Sequence, residues 1–328
     1  MRQKITILTI LVGGLAVLSF FIVYGDIKNR SELSKNRFQN FGPALINASL
    51  ASENFNSQTG YILPVSEPTY FPIRKPDVVE PLLKAKSFLL YDVKNAKVLF
   101  SKDPQKALPI ASLTKLLTAI VSLENLSPET IIEIGPESMN VDQEGADFYL
   151  KEKFYFQDLF KAMLVKSSND AASAIARAIE VKTGISFADL MNKKALQIGM
   201  NNSKFLDPAG LNDSAYSTVE DLLKLARNAR RFEEIRESLA EQTVDVFSID
   251  KKLKHHFIST NKLFGILPGM VGAKTGYTDG ALGCIILEEA LSSSETSLIA
   301  IVLGSTERFE DAEKLVNWGK SAFRWELN

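Results

Sequence analysis

The sequence predicts an α+β fold in which an antiparallel sheet is flanked by helices and joined to a mostly helical subdomain. Strand patterns lie near residues 87–100 and again near residues 270–304. Between them, apolar residues recur at the spacing of amphipathic helices. A last helical pattern covers residues 306–325. Strands at the two ends of a domain, with helices between them, are typical of an antiparallel sheet with a helical insertion.

The N-terminal residues are predicted to lie outside this fold. After a short tail, residues 1–4, an uncharged and mostly apolar stretch of 20 residues covers 5–24, about the length of a helix that spans a bilayer. A signal peptide has a shorter apolar core and a small-residue cleavage site, for which Val23-Tyr-Gly25 is a poor match. We therefore expect a retained transmembrane anchor, with a signal peptide as the alternative.

Residues 25–81 are predicted to form a stalk or linker. This segment has little periodic apolar pattern and contains six prolines, and proline-rich segments are extended and semi-rigid. We expect it to hold a folded domain of residues 82–325 away from the membrane. The six prolines are Pro43, Pro64, Pro68, Pro72, Pro76 and Pro81.

The first two strands are predicted to form a hairpin. The run Ser87-Phe-Leu-Leu-Tyr-Asp92 and residues 97–100 are rich in strand-forming side chains. Asp92 and Asn95 lie between them and are turn residue types. We therefore interpret Asp92 as closing the turn rather than as a catalytic acid.

Ser112 and Lys115 lie at the start of the first predicted helix. Residues three apart on a helix are neighbours, so the Lys115 amine can reach the Ser112 hydroxyl within one turn. A serine hydroxyl is a weak nucleophile and needs such a base within hydrogen-bond reach. Lysine can be that base only in its neutral form, which burial and a second nearby cation, here Lys274, both favour. The pattern Ser112-Leu-Thr-Lys115 therefore indicates a nucleophilic serine.

A second pattern, Ser167-Ser-Asn169, precedes the helix predicted for residues 171–181. Ser168 and Asn169 are helix-capping residue types, so a plain helix start is the alternative interpretation. The same helix is predicted to end at Lys182-Thr-Gly184, where glycine is a common terminating residue.

A third pattern, Lys274-Thr-Gly276, lies on the first of two strands joined by a turn at Asp279-Gly280. A lysine and a threonine on a strand beside the serine helix would suit an anionic substrate. The following strand contains Cys284, the single cysteine, which we expect to be buried. One cysteine allows neither an intrachain disulfide nor a cysteine metal cluster.

Further Ser-x-x-Lys copies at residues 248–251 and 259–262 are interpreted as incidental. They flank a stretch with strand character that contains His255 and His256, and residues three apart on a strand point to opposite faces. These are the only histidines, and no Gly-x-Ser-x-Gly motif accompanies them. We expect them to line a strand rather than to complete a Ser-His-Asp triad.

The three patterns, in this order, resemble the D-alanyl-D-alanine carboxypeptidases, the serine-type low-molecular-mass penicillin-binding proteins. The resemblance covers residues 82–324 and implies a β-lactamase/transpeptidase-like fold with Ser112 in a cleft between sheet and helical subdomain. Further matches to family landmarks are Ile110-Ala-Ser-Leu-Thr-Lys115 and residues 191–200, 205–211 and 271–278.

The resemblance implies removal of the terminal D-Ala from peptidoglycan stem peptides through an acyl-enzyme on Ser112. Lys115 would take the serine proton, and Ser167 would relay it toward the leaving amine. β-Lactam antibiotics would be covalent inhibitors, and neither a cofactor nor a metal is required. The implied substrate-binding residues are Asn169, Lys274, Thr275 and Gly276, with the backbone N–H groups of Ser112 and Tyr277 as the oxyanion hole.

Three alternatives stay open. The same motifs serve D,D-endopeptidases and β-lactamases. The Ser-Ser-Asn form, where class A β-lactamases carry Ser-Asp-Asn, and the lack of a Glu-x-x-Leu-Asn run argue against an efficient β-lactamase. A non-catalytic cell-wall-binding protein on this fold would be marked by a broken motif, whereas all three motifs are intact.

The charge balance of the chain and the implied substrate indicate its partners and its location in the cell. With 38 basic and 39 acidic residues, the chain gives no indication of nucleic-acid binding. Cell-wall peptide lies outside the cell membrane. The expected arrangement is a single-pass anchor at residues 5–24 in the lipid bilayer with the catalytic domain on the extracytoplasmic side.

Overall fold

The computed structural model describes residues 70–139, 147–291 and 296–327. In chain order, its strands are β1 (Tyr70–Arg74), β2 (Ser87–Asp92), β3 (Lys97–Lys102), β4 (Ile131–Glu133), β5 (Lys153–Tyr155), β6 (Thr243–Phe247), β7 (Lys254–Ile258), β8 (Met270–Thr278), β9 (Leu282–Ala290), β10 (Ser297–Ser305) and β11 (Phe323–Leu327). Its helices are a 3-10 turn at Ala111–Thr114, α1 (Lys115–Asn125), α2 (Phe156–Val165), α3 (Asn169–Thr183), α4 (Phe187–Gln197), α5 (Val219–Ala229), α6 (Glu233–Ala240) and α7 (Arg308–Ala322).

A five-stranded antiparallel sheet in the order β3-β2-β10-β9-β8 forms the framework. Its strands come from the two ends of the described domain, and α1 to α6 come from the chain between β3 and β8. This arrangement confirms the predicted α+β fold with a helical insertion. Strand β8, which carries Lys274, is at one edge of the sheet.

The predicted hairpin of β2 and β3 is also confirmed, and Asp92 closes its turn. The Asn95 backbone N–H donates to Asp92 Oδ1 at 3.1 Å, and the Asn95 side-chain amide donates to Oδ2 at 2.8 Å. Asp92 is fully buried.

Helix α1 is the central helix of the insertion and contacts α2, α3, α4 and α5. Its apolar side chains Leu116, Leu117 and Ile120 are at most 1% exposed. Burying side chains of this size stabilises the fold by about 2 kcal/mol each. The chain segment that carries Ser112 and Lys115 is therefore fixed to the helical core.

Helix α7 packs closely against strands β2, β9 and β10 of the sheet. A Cβ atom at Gly319 would lie 2.5 Å from Leu90 Cδ2 on β2, so a larger residue here would force the buried Leu90 side chain to shift. Leu315 and Val316 on the same helix are fully buried.

The structure corrects the N-terminal boundary of the predicted domain. Strand β1 lies inside the segment 25–81 that was predicted as linker, yet it pairs antiparallel with β11 from Tyr70↔Leu327 to Arg74↔Phe323. Proline is tolerated in edge strands, which explains Pro72 in β1. The Arg74 guanidinium lies over the Trp318 ring at 4.5 Å, a cation–π contact that holds β1 on the domain.

The last predicted helix was also too long. Helix α7 ends at Ala322, and the chain continues as β11, in which Trp325 Nε1 donates to the buried Asp92 Oδ2 at 2.6 Å. The aromatic residues Phe323 and Trp325, with β1 as a partner for this segment, favour strand over helix.

The predicted anchor at residues 5–24, the tail at 1–4 and the linker up to residue 69 lie outside the described residues. None of the helices in the described part of the chain has the length and apolar character needed to cross a bilayer.

Candidate active site

Ser112 lies on the 3-10 turn at the start of α1, and the predicted contact with Lys115 is present. Lys115 Nζ is 2.8 Å from Ser112 Oγ. The Lys115 side chain is fully buried, and Ser112 is partly exposed. Ala111, just before the serine, has a φ of 47°, a left-handed conformation that costs a non-glycine residue about 1 kcal/mol or more. Such strain is typical of functional sites.

The Lys115 amine has two further oxygen partners. It donates to Asn169 Oδ1 at 2.7 Å and to the Ala209 carbonyl oxygen at 2.9 Å. A neutral amine has two N–H donors and one lone pair, so these two bonds would leave the lone pair for the Ser112 hydroxyl. The structure thus brings Ser112, Lys115 and Asn169 together around one nitrogen atom.

Asn169 is held by the start of α3. The Ser168 hydroxyl caps this helix by accepting the Ala171 N–H at 3.2 Å, which confirms the predicted helix start. Ser167 precedes the cap and has a φ of 64°, again in the left-handed region. Because of this turn, Ser167 and Asn169 form hydrogen bonds with different lysines, Ser167 with Lys274 and Asn169 with Lys115.

Lys274 on β8 is the second buried amine. Its Nζ donates to Ser167 Oγ at 2.7 Å and to the Thr275 carbonyl oxygen at 3.0 Å, and its side chain is 1% exposed. Burial, and then the positive charges of Lys115 and Arg308, lower the pKa of Lys274 well below its ordinary value. Two like-charged amines in one buried site disfavour each other's protonation.

Gly276 brings β8 against the serine. A Cβ atom at this position would lie 2.9 Å from the Ser112 backbone nitrogen and 3.2 Å from the Ile110 carbonyl oxygen. Glycine therefore allows the strand to pass directly beside the Ser112 N–H. Tyr277 is the next residue, and its side chain is 56% exposed, with its hydroxyl donating to Asp279.

A loop that the residue patterns did not identify as functional supports Lys115. Asp207 accepts backbone N–H groups from Ala209 at 2.8 Å, Gly210 at 2.5 Å and Leu211 at 3.2 Å through one oxygen, and from Asn212 at 3.0 Å through the other. This carboxylate fixes the Ala209 carbonyl that Lys115 bonds. The sequence signal is the aspartate ahead of Pro-Ala-Gly, a turn-forming arrangement.

Gly210 is required by the same loop. Its φ is +79°, and a Cβ atom there would lie 2.0 Å from the Ala111 carbonyl oxygen. The glycine allows the loop to approach the turn that carries Ser112.

The histidines do not join the site. His255 and His256 lie on β7, as predicted, and bond Glu152 at 3.0 Å and Asp245 at 2.7 Å, respectively. Cys284 is a buried residue of β9, also as predicted, and burial raises the pKa of its thiol to about 11.

The further copies of the motifs, at residues 182–184, 248–251 and 259–262, have different structural roles. Gly184, with a φ of 70°, ends α3 as predicted. The Ser248 hydroxyl donates to Asp250 in the turn between β6 and β7. The copy at 259–262, however, contains Thr260, whose Oγ1 is 2.7 Å from Thr275 Oγ1. No pattern in the sequence predicts this contact.

Comparisons with known proteins agree with this geometry. A family model described as D-alanyl-D-alanine carboxypeptidase matches residues 75–307. The D-alanyl-D-alanine carboxypeptidase DacF of Bacillus subtilis is 28% identical over 249 residues, which are 73% of this chain and 63% of DacF. A D-alanyl-D-alanine endopeptidase of Haemophilus influenzae is 36% identical over 200 residues, 59% of this chain and 66% of that protein.

Among solved structures, penicillin-binding protein D2 of Listeria monocytogenes in its ampicillin-bound form is 31% identical, with a TM-score of 0.64. The match covers 74% of this chain and 99% of the Listeria chain. The chain thus spans nearly all of a solved penicillin-binding protein but less than two thirds of DacF.

Proposed function

The chain belongs to the D-alanyl-D-alanine carboxypeptidase family of serine-type enzymes, and from this premise we propose that it removes the terminal D-Ala from peptidoglycan stem peptides. The reaction proceeds through an acyl-enzyme on Ser112. The observation that carries the proposal is the buried Lys115 amine, bonded at once to Ser112, Asn169 and Ala209.

Lys115 activates the nucleophile. With its two N–H groups held by Asn169 Oδ1 and the Ala209 carbonyl oxygen, the neutral amine directs its lone pair at the Ser112 hydroxyl. The serine proton passes to Lys115 as Ser112 Oγ attacks the carbonyl carbon between the two D-Ala residues. General-base assistance of this kind contributes about 10²- to 10⁴-fold.

Ser167 carries the proton onward. Its hydroxyl bonds Lys274 at 2.7 Å, and the lowered pKa of Lys274 favours proton exchange within the Ser167–Lys274 pair. As the C–N bond breaks, Ser167 gives its proton to the leaving nitrogen of the terminal D-Ala. Ser167 in turn takes up the proton that Lys115 removed from Ser112, so that Lys115 is neutral again.

Lys274 and Thr275 bind the terminal carboxylate of the peptide. Both side chains are buried, so a charge-assisted bond to a carboxylate is strengthened by the low local dielectric. The arriving negative charge also favours protonated Lys274, so substrate binding couples to proton uptake. Asn169 holds the peptide backbone, and Gly276 leaves room for it to lie along β8.

The oxyanion forms between two backbone N–H groups, those of Ser112 and Tyr277. The close approach of Gly276 to the Ser112 nitrogen supports this assignment, because Tyr277 is the next residue along the strand. Each donor of this kind contributes about 3 kcal/mol to transition-state stabilisation. Water then hydrolyses the ester and releases the shortened peptide, whereas a penicillin acylates the same serine and leaves slowly.

Endopeptidase activity is the second candidate. Its support is the similarity to proteins named D-alanyl-D-alanine endopeptidases, one of them 36% identical. The two activities use the same acyl-enzyme and differ in the leaving group, which is free D-Ala for a carboxypeptidase and a second peptide for an endopeptidase.

Product analysis distinguishes them. The purified protein is incubated with a stem pentapeptide and, separately, with a cross-linked peptide dimer, and products are identified by mass spectrometry. We expect loss of one D-Ala from the pentapeptide and none with Ser112→Ala. Cleavage of the dimer alone would replace the carboxypeptidase proposal with the endopeptidase, and intact substrates in both reactions would contradict both.

We further propose that residues 5–24 anchor the protein in the cell membrane, with residues 25–69 as linker and the catalytic domain on the extracytoplasmic side. The support is the uncharged stretch of 20 residues and the location of the proposed substrate. Full-length protein should remain in the membrane fraction after high-salt washing, and a variant that lacks residues 1–24 should not. If the full-length gene instead yields a soluble protein that is shortened at its N-terminus, the result would support a cleaved signal peptide.

A further inference from the structure

Thr260 is a residue that none of the three motifs contains, yet it contacts the proposed carboxylate-binding strand. Its Oγ1 lies 2.7 Å from Thr275 Oγ1. It belongs to the loop after β7, in the Ser-x-x-Lys copy at residues 259–262 that the sequence indicated to be incidental. Thr260 is partly exposed, and Thr275 is 3% exposed.

The Thr260 backbone has its own connection to the site. Its N–H donates to the Val165 carbonyl oxygen at 3.2 Å. Val165 is the last residue of α2, two positions before Ser167. One residue thus joins the loop that carries Ser167 to the strand that carries Lys274 and Thr275.

The next residue fixes this loop on β8. The Asn261 side chain is buried, accepts the Leu263 N–H at 3.0 Å and lies 2.9 Å from the sulfur of Met270, the first residue of β8. The Ser259 N–H donates to the Gln242 carbonyl oxygen at 2.8 Å. With backbone contacts on both sides, the Thr260 hydroxyl has a defined position.

The chemistry of two adjacent hydroxyl groups gives the contact a direction. A threonine hydroxyl has one proton and accepts through its lone pairs. If the Thr275 hydroxyl donates its hydrogen bond to a substrate carboxylate, it must accept the hydrogen bond that it shares with Thr260. Without Thr260, the buried Thr275 hydroxyl is free to rotate and to direct its proton at a protein oxygen.

We propose that Thr260 is a positioning residue that donates to Thr275 and thereby orients the Thr275 proton toward the terminal carboxylate of the substrate. This inference rests on the proposed role of Thr275 in substrate binding. It predicts a loss of ground-state binding to carboxylate-bearing ligands, with little change in the chemical step at Ser112.

The test separates binding from acylation. Stopped-flow kinetics with a fluorescent penicillin, which bears a carboxylate, give the dissociation constant of the non-covalent complex and the acylation rate constant. Thr260→Val removes the hydroxyl at nearly constant volume and should raise the dissociation constant about fivefold to tenfold, the worth of one hydrogen bond. The acylation rate constant should stay within about twofold, because Ser112 and Lys115 are untouched.

Three controls distinguish positioning from a general structural effect. Thr260→Ser keeps the hydroxyl and should restore the wild-type dissociation constant. Thr243→Val, on an exposed position of β6, should have no effect. In a Thr275→Val background, Thr260→Val should add nothing, because a residue that acts only through Thr275 has no further role once that hydroxyl is gone. Thermal unfolding confirms that each variant is folded.

The outcomes are distinct. A wild-type dissociation constant for Thr260→Val, or an effect fully additive with Thr275→Val, would overturn the inference while leaving the proposed function intact. Absence of acylation in the wild type would overturn the proposed function itself. If Thr260→Val does not fold, the comparison of Thr260→Ser with Thr260→Ala gives the same decision.

Discussion

Two buried polar clusters in this protein are built on opposite principles. In the first, Asp92 accepts bonds from the Asn95 backbone and side-chain amides, from Thr296 Oγ1 at 2.7 Å and from Trp325 Nε1 at 2.6 Å. A single negative charge is surrounded by donors. The cluster joins the β2–β3 hairpin to β10 and β11, and so it stabilises the sheet.

The second cluster places two lysines side by side. Lys115 and Lys274 are both at most 1% exposed, and the bonds described above lead to hydroxyl, amide and carbonyl oxygens. The charge of Lys115 contributes to the lowered pKa of Lys274. The Asp92 cluster thus surrounds its carboxylate with donors, whereas the lysine cluster places a second amine where it disfavours the charge of Lys274.

This difference shows what each cluster contributes. The Asp92 oxygens are hydrogen-bonded, as buried polar groups in stable proteins are. Two buried amines in one site instead disfavour each other's protonation and keep a base available. Proteins retain such unfavourable groups at sites of chemistry. Variants of the two clusters should therefore have opposite effects on stability and activity.

The largest effect should come from Lys115→Met. Acylation of Ser112 by a fluorescent penicillin should slow about 10⁴-fold, because the proposed base is lost, in line with the removal of a catalytic base from other serine enzymes. Lys251→Met, which changes the exposed lysine of the Ser-x-x-Lys copy at residues 248–251, is the matched control and should behave like wild type. A Lys115→Met variant that acylates at the wild-type rate would exclude Lys115 as the base.

Ser167→Ala should have the next largest effect. Loss of the proton relay should slow turnover of a stem pentapeptide about 10²- to 10³-fold, while the free energy of unfolding changes little. Quantifying released D-Ala under saturating peptide tests this. If turnover remains within a few-fold of wild type, Ser167 only holds Lys274 in place.

Asp92→Ala should destabilise the protein without loss of acylation. Four donors lose their acceptor, and we expect a decrease of about 3 kcal/mol in the free energy of unfolding, measured by urea denaturation. The folded fraction should still be labelled by penicillin at the wild-type rate. A large fall in the acylation rate of folded protein would mean that the two clusters are coupled.

The smallest effect concerns the pH dependence of stability at Lys274. In the unfolded chain this amine keeps its proton up to about pH 10.4, whereas its pKa in the folded state is lowered by burial, Lys115 and Arg308. Below about pH 10.4 and down to the folded-state pKa, the unfolded state binds more protons, so wild-type stability rises with pH. Lys274→Met lacks this contribution and should show a flatter curve.

Urea unfolding between about pH 6 and pH 10 checks this sign. The stability advantage of Lys274→Met over wild type should shrink as the pH rises. Parallel curves for the two proteins would mean that Lys274 keeps its proton in the folded state.

The sequence predicted those parts of the site that depend on local spacing. Ser112 and Lys115 are three residues apart on one turn, and Ser168 caps a helix through a residue three positions on. Lys274 was assigned by its strand and turn context. In each case, short-range geometry is enough to decide which way a side chain points.

Contacts over long sequence separations escaped prediction. Ala209 reaches Lys115 across 94 residues, and Thr260 reaches Thr275 from a loop whose own pattern gave no indication of it. The local sequence of strand β1 predicts a linker, because its pairing partner, β11, lies at the other end of the domain. Such pairings depend on how the elements pack, which composition and periodicity do not determine.

The central claim is that Ser112 is the nucleophile, and covalent labelling tests it most directly. Three proteins are incubated with a fluorescent penicillin and examined by gel and peptide mass spectrometry: the wild type, Ser112→Ala and Ser248→Ala. Ser248 is the serine of the Ser-x-x-Lys copy at residues 248–251. The proposed mechanism predicts one label per chain on wild type and Ser248→Ala, located at Ser112, and none on Ser112→Ala. Label on folded Ser112→Ala, or none on folded wild type, would contradict it.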